Sequence, residues 1–491
     1  MSPDAQGPGV IPIVPAAAEE VSLYEIRRKI YPRAVHGWFA GWRWGFVFLT
    51  QAVFYGMPWL TWNDRQAVLF DLGARKFYIF GLVFWPQDVI YLTILLILCA
   101  LGLFLFTAVA GRLWCGYACP QTVYTEIFTW IERKIEGDRL ARIRLDAAPM
   151  SARKLLLKAA KHAAWIAVAL WTGYTFVGYF SPIRDLGLRV IALDLGGWEA
   201  FWLLFYGFAT WGNAGFMREQ VCKYMCPYAR FQSVMYDKDT LVITYDRERG
   251  EPRGSRRKGV DPRSAGVGDC VDCNICVQVC PTGIDIRNGL QYECIACGAC
   301  IDACDDVMDK MGYPHGLIRY TTQNAIDGKP SKVLRPRIFV YGALLLGLVA
   351  AWSWGVFNRD VLIAEVLRDR NALYREVAGD MVENSYTLKL VNKDQQPHRY
   401  AVTLASASPG IRLRDGELTA RAEPEEVLSL AVTATAPATL RGRHAVTFTD
   451  AGKDRQHILF AGDITRHGPG LTARLVAGDI TRHGPGLTAR L

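Results

Sequence analysis

A chain of 491 residues has room for two or three domains, and one that is 51% hydrophobic and 12% aromatic, with 15 tryptophans, is richer in apolar side chains than an ordinary soluble protein. Its formal charge of +9 is read as setting membrane topology and not as a nucleic-acid site. All 13 cysteines fall between Cys99 and Cys304, twelve of them in ligand-like motifs, which points to metal chemistry in a reducing compartment and away from a disulfide framework.

Residues 1–36 read as a cytosolic tail with no signal peptide, ending in the basic group Arg27, Arg28, Lys29 and Arg33. Residues 37–217 read as a four-span membrane region, with spans at about 44–62, 89–110, 163–180 and 198–216. The stretch FYIFGLVFWPQD between the first two spans is apolar but interrupted by Gly81 and Pro86, too short to cross, and expected at the outer surface. Cys99, in the middle of the second span, is expected to be a small packing residue. The loop after that span carries Arg133, Lys134, Arg139, Arg142 and Arg144, and is cytoplasmic by the positive-inside rule. Residues 218–337 form a cytoplasmic region with a ferredoxin-like module at about 262–312, and residues 338–358 a fifth span.

Five spans from an inner N-terminus put the ferredoxin-like module in the cytoplasm and residues 359–462 in the periplasm. That last region alternates apolar and polar residues in short runs (SYTLKLVNK, HRYAVTLAS, VLSLAVTATA), the pattern of an antiparallel sandwich. Residues 463–491 are a duplicated tail: AGDITRHGPGLTARL occurs at 461–475 and again at 477–491, and the second copy is expected to be disordered, with His467 and His483 incidental. The expected fold class is a multi-domain membrane protein. It combines an α-helical transmembrane bundle of about five spans, an inserted two-cluster ferredoxin-like α+β module, and a C-terminal all-β sandwich.

The most specific motif is CVDCNICVQVCP followed by CIACGACIDAC. Cys270, Cys273, Cys276 and Cys280, then Cys294, Cys297, Cys300 and Cys304, each follow the C-x2-C-x2-C-x3-C spacing of four-iron clusters. Thiolates are soft, charged ligands that match iron and sulfide, and the fourth cysteine of each run serves the other cluster. Cys270, Cys273, Cys276 and Cys304 are therefore assigned to one [4Fe-4S] cluster, and Cys294, Cys297, Cys300 and Cys280 to a second. Asp305 stands where the second run would carry the proline that Pro281 supplies in the first.

A second constellation is the pair of C-x-Y-x-C-P motifs, Cys115 and Cys119 before Pro120, and Cys222 and Cys226 before Pro227. Each follows an apolar span. On a helix the i and i+4 thiols share a face, and the prolines would end that helix or start another. Four convergent sulfurs without histidine suit Cu(I), zinc or an iron–sulfur centre. Tyr117 and Tyr224 are interface anchors or relay groups, Met225 is packing or a thioether ligand, and Glu126 and Glu132 are solvated or salt-bridged. No nucleotide loop, catalytic triad or zinc-protease motif is present.

RLWCGYACPQTVYTEIFTWIERKIEGDR, REQVCKYMCPYARFQSVMYDKDTLVITYDRERGEPRG and the double ferredoxin run together resemble the cytochrome c oxidase accessory proteins of the FixG type, from about residue 31 to 460. Membrane ferredoxins of nitrate and nitrous oxide respiration share the CxxxCP layout but usually lack the outer domain. The resemblance implies a bacterial inner-membrane protein with a C-terminal immunoglobulin-like domain. It also implies maturation of a cbb-type oxidase through reduction of Cu(II) to Cu(I), with Cys115, Cys119, Cys222 and Cys226 as the copper-binding, catalytic thiols. The implied partners are oxidase assembly and copper-transfer proteins and an unnamed electron donor; a homo-oligomer stays open. Two other readings also stay open. One is a membrane electron conduit between quinol and a partner enzyme without copper; the other is a non-enzymatic assembly scaffold.

Overall fold

The computed structural model describes residues 29–466 apart from 259–260, 263–265, 333, 360–361, 370–373, 407, 441 and 453–454. The second tail copy, His467 and His483 lie outside the described residues. The strand Arg455–Arg466 extends into the first copy.

Among the described residues two helices are long and apolar enough to cross a membrane, Pro86–Ala110 and Pro336–Phe357. The other three expected spans are helical but shorter, interrupted or more polar. Trp38–Gly56 starts earlier than expected, carries the buried Arg43, and gives way at Met57–Trp59 to a single turn. Ala152–Val177 begins in basic residues of the loop. Gly197–Thr210 has 14 residues before it widens into a π-helical stretch, Trp211–Met217. Cys99 is exposed on the apolar helix Val89–Ala110.

The chain divides into two compact units, each discontinuous in sequence. The first takes in residues up to Gly56, Cys99–Val177 and Leu193–Leu344 and holds every cysteine motif. Within it the ferredoxin-like module is larger than the expected 262–312. Strand Val242–Tyr245 pairs antiparallel with Ile318–Thr321, closing a two-stranded sheet over helices Ile275–Val279 and Ala299–Met311. Ile243, Tyr245, Ile301, Met308, Leu317 and Ile318 form the core of that module with Cys270 and Cys276. The module is fastened to helix Trp38–Gly56. The Asp302 carboxylate accepts from the N–H groups of Phe39 (3.2 Å) and Ala40 (2.7 Å), satisfying donors that a helix start leaves unpaired. A Cβ on Gly37 would sit 2.4 Å from the Asp302 carboxyl carbon, so only glycine allows that approach.

The second unit takes in Met57–Leu98, Gly178–Ala192 and the chain from Leu345 on. Its C-terminal part is the expected sandwich. One sheet has the order Arg412–Leu413, Val427–Pro437, Met381–Asn392, Leu362–Arg368, with Arg375–Val377 also on Met381–Asn392. The other has the order Leu418–Ala422, His398–Ser406, Gly442–Gly452, Arg455–Arg466. Tyr386, Leu388, Leu390, Val402, Val432 and Ala434 alternate inward to build the core. The segment expected at the outer surface is a three-stranded antiparallel sheet, Val68–Asp71, Lys76–Ile79 and Leu82–Phe84. It packs Leu69, Tyr78, Val83 and Trp85 on Val391 of the sandwich, and buried Lys393 bonds Asp88 at 2.8 Å.

Candidate redox centre

The backbone of the two ferredoxin runs repeats. In the first, Asp272 and Asn274 flank Cys273 at φ 52° and 56°; in the second, Ala296 and Gly298 flank Cys297 at φ 52° and 73°. Left-handed residues alternating through a loop aim successive N–H groups inward, the nest that surrounds anionic iron–sulfur sites. An alanine at positive φ is a strained position, held by its surroundings.

Each run encloses a cavity. One, with about 370 Å³ of empty space, is lined by Cys270, Cys273, Cys276 and Cys304. The other, of about 340 Å³, is lined by Cys276, Cys280, Cys294, Cys297 and Cys300. The two cavities share out the eight cysteines, with Cys276 lining both. The donor set also fits an iron–sulfur cluster: four sulfurs around an apolar cavity with inward backbone donors. Burial pushes the Cys294 and Cys304 thiols up to about 12; around Cys304 the neighbouring Cys276 and Asp305 add to it. Binding iron must therefore displace protons.

The CxxxCP motifs are not continuous helices. Cys115 lies in the short helix Leu113–Tyr117, whereas Cys119 is the extended N-cap residue of helix Pro120–Glu136. Cys222 lies in a π-helical turn, Val221–Met225, and Cys226 is the N-cap residue of Pro227–Met235. Pro120 and Pro227 each open a new helix, because a first-turn residue needs no N–H bond. The shared helical face expected for each pair is thus replaced by a helix-to-cap step.

The thiols of the two motifs lie near enough to influence one another electrostatically. Burial pushes Cys115 up to about 12, with the charge of Cys119 adding and Arg112 opposing; Cys222 is pushed up to about 11, with Cys119 and Cys226 adding. Among the described residues no three His, Cys, Asp or Glu side chains are grouped to grip one metal ion. Four-iron clusters do not need such a group, since each cysteine binds a different iron.

The first motif abuts the second ferredoxin run. A Cβ on Gly116 would fall 2.7 Å from the Ile295 carbonyl oxygen and 2.9 Å from Cys297 Cα, so glycine permits backbone-to-backbone contact there. Cys115 packs against the buried cluster of Val279, Ile295 and Cys297. Tyr117, 6% exposed, hydrogen-bonds Tyr320, whose hydroxyl donates to the Ala296 carbonyl at 2.5 Å. A cleft with about 800 Å³ of empty space touches both Cys222 and Cys297, and is lined by Arg33, Arg43, Arg133 and Arg218.

Several residues at this seam escaped the sequence reading. Arg112, buried three residues ahead of Cys115, donates to the carbonyls of Tyr292, Ala229 and, at 3.4 Å, Cys294. Gln232, fully buried, accepts from Cys115 Sγ at 3.5 Å. Arg43 pairs with Glu126 at 3.1 Å and is within hydrogen-bonding reach of Cys297. A lone arginine inside an apolar run was the one available signal for Arg43. Glu132 is buried, not solvated: it holds Arg218 at 2.9 Å, Arg142 at 3.1 Å and Lys161 at 3.6 Å. Burial opposes its charge, but those cations outweigh burial and keep its carboxyl below the usual range.

Fold and cysteine layout together define an iron–sulfur protein with an immunoglobulin-like C-terminal domain. Residues 217–323 match the 4Fe-4S dicluster domain, 92–137 a 4Fe-4S binding domain, and 352–461 the IG-like fold at the C-terminal of FixG. The chain is 40% identical to the nitrogen fixation protein FixG of Rhizobium meliloti over 88% of its own length and 90% of that protein's. Proteins RdxB and RdxA of Cereibacter sphaeroides are 38% and 40% identical, over 78% and 79% of this chain and 83% and 85% of theirs. A crystal structure of a FixG-related protein from Vibrio parahaemolyticus is 34% identical and covers 21% of this chain and 92% of that one, with a TM-score of 0.18. The chain belongs to the FixG family.

Proposed function

We propose that this protein is a membrane-bound cupric reductase that supplies Cu(I) for maturation of a cbb-type oxidase. The observation that carries the reading is the seam at Gly116, where the first thiol motif touches the backbone of the Cys294–Cys300 run. Cys270, Cys273, Cys276 and Cys304 would hold one [4Fe-4S] cluster and Cys280, Cys294, Cys297 and Cys300 the other. When bound, these groups supply one-electron oxidation and reduction.

The rest is done by the chain. Cu(II) entering the cleft beside Cys222 would take one electron from the reduced [4Fe-4S] sites and stay as Cu(I) on two thiolates drawn from Cys115, Cys119, Cys222 and Cys226, whose protons pass to water. A d10 Cu(I) ion accepts two thiolates, so it does not need three grouped ligands. Gln232 orients Cys115, and Arg112 favours the thiolate form of Cys115 and Cys222.

The setting we propose is the bacterial inner membrane, crossed five times. Residues 218–337 would face the cytoplasm and 359–462 the periplasm, where the outer domain would meet copper-transfer and oxidase assembly proteins. Exposed Leu92, Leu96, Phe106, Leu346 and Trp354 on the two most apolar helices support burial in lipid.

A second reading is favoured by one match: the 4Fe-4S binding domain at 92–137 contains Cys115 and Cys119. The four thiols would then hold a further cluster in an electron conduit without copper. Metal analysis separates the two. The copper reading expects about eight irons per chain, at four per cluster, and copper lost on Cys115→Ser/Cys119→Ser/Cys222→Ser/Cys226→Ser with the iron retained. About twelve irons, falling to about eight in that variant, would support the conduit.

A further inference from the structure

The two ferredoxin sites sit in different electrostatic surroundings, which bears on the direction of electron flow. The site of Cys280, Cys294, Cys297 and Cys300 is proximal, since its loop touches Gly116 and Cys115. Around it lie buried guanidinium groups. Arg112 bonds only backbone carbonyls, so its charge is not cancelled by a carboxylate. Arg43 reaches Cys297, and its partner Glu126 is shared with Arg133 at 3.2 Å.

The site of Cys270, Cys273, Cys276 and Cys304 is distal from the thiol motif, and its charges are mostly paired, with Asp305 beside Cys304. Arg287 is held by two carboxylates, Asp272 at 2.6 Å and Asp285 at 2.7 Å. Asp305 follows Cys304 directly and accepts from the Gly316 N–H at 3.0 Å, in the position where the first run has Pro281. Arg256 reaches the Cys270 carbonyl at 3.5 Å, and Asp269, next to Cys270, is paired with Arg249 at 2.5 Å. The contrast rests on two groups: Arg112, a buried guanidinium on backbone carbonyls beside the proximal Cys294, and Asp305, a carboxylate beside the distal Cys304.

Adding an electron to a cluster makes it more negative. Nearby positive charge and hydrogen bonds to its sulfurs therefore raise its potential, and negative charge lowers it. We propose that the two sites have unequal potentials, the proximal one higher, and that Arg43, Arg112 and Asp305 are the positioning residues that set the difference. One electron then leaves the distal site and enters the proximal site, with no bond made or broken and no proton moved. The gradient runs toward the thiol motif. This rests on the reading that both quartets hold clusters.

The test is an anaerobic redox titration of the full chain in detergent, with dithionite as reductant and electron paramagnetic resonance as readout. Wild type should show two separate potentials. Arg112→Gln and Arg43→Gln should each lower only the higher one, by at least tenfold in the equilibrium constant, about 59 mV for one electron. Arg43→Lys, which keeps the charge, should restore most of it. Asp305→Asn keeps the acceptor for Gly316 and should raise only the lower potential by a similar amount; it carries the test alone if the arginine variants do not fold. Coincident potentials, or shifts confined to the wrong site, would overturn the gradient. Iron below about eight per chain with no cluster signal in wild type would instead overturn the cluster reading beneath it.

Discussion

The chain contains two duplicated cysteine motifs, and they have diverged differently. In the ferredoxin pair the backbone is kept: left-handed residues flank the second cysteine of both runs, whether the residue is Asp, Asn, Ala or Gly. In the CxxxCP pair the backbone is not kept. The first motif is a short α-helix with Tyr117 buried; the second is a π-helical turn with Tyr224 at 38% and Met225 at 56% exposure. Gly116 has Lys223 as its counterpart, and Lys223 could not make the same approach to a backbone. A cage that must surround a ligand conserves its loop geometry. A pair of arms of which only one docks can let the other drift.

Breaking the link between those arms should have the largest effect. Glu132, on the helix after the first motif, grips Arg218, just ahead of the second. Glu132→Gln would leave buried cations uncompensated and cost about 3–5 kcal/mol at pH 7, read by chemical unfolding. Because the native carboxyl is held below its unfolded value of 4.5, its contribution is complete above that pH and is lost as pH falls through the folded value. The variant should therefore lack that part of the acid transition.

The asymmetry between the motifs can be tested by matched substitutions. Gly116→Leu should cost about 3 kcal/mol through overpacking against the Ile295–Cys297 backbone, whereas Lys223→Leu should be close to neutral in the same unfolding assay. A smaller difference is expected from the tyrosines. Tyr117→Phe removes a buried hydrogen bond and should cost about 1 kcal/mol, with Tyr224→Phe serving as the exposed control.

The ferredoxin groupings were legible in the sequence because cluster geometry dictates ligand spacing: Cys304 and Cys280 fall in the cavities that their exchange between runs requires. The sandwich was legible from alternation, with Leu388, Leu390, Val432 and Ala434 all inward. The helix Val89–Ala110 was legible in the sequence, since a long run of Leu and Ile without charge favours one. The helix-to-cap form of CxxxCP was not legible. Spacing of four residues is equally compatible with one helix, and the prolines left both outcomes open. The sheet at Val68–Phe84 was missed because its strands are three or four residues long and its apolar residues pack on Val391, far along the chain. Arg112 and Gln232 were missed because a buried partner of a cysteine has no sequence periodicity of its own.

The central claim is that electrons cross the Gly116 seam to copper held by the membrane thiols. The most direct measurement mixes anaerobically reduced protein with Cu(II) and follows cluster absorbance together with Cu(I) trapped by a chelator. Wild type should lose cluster reduction in step with Cu(I) formation, one electron per copper. Cys115→Ser/Cys119→Ser/Cys222→Ser/Cys226→Ser, with its iron intact, should leave the clusters reduced. Equal Cu(I) formation by that variant would contradict the account, because the thiols would then have no part in the reaction.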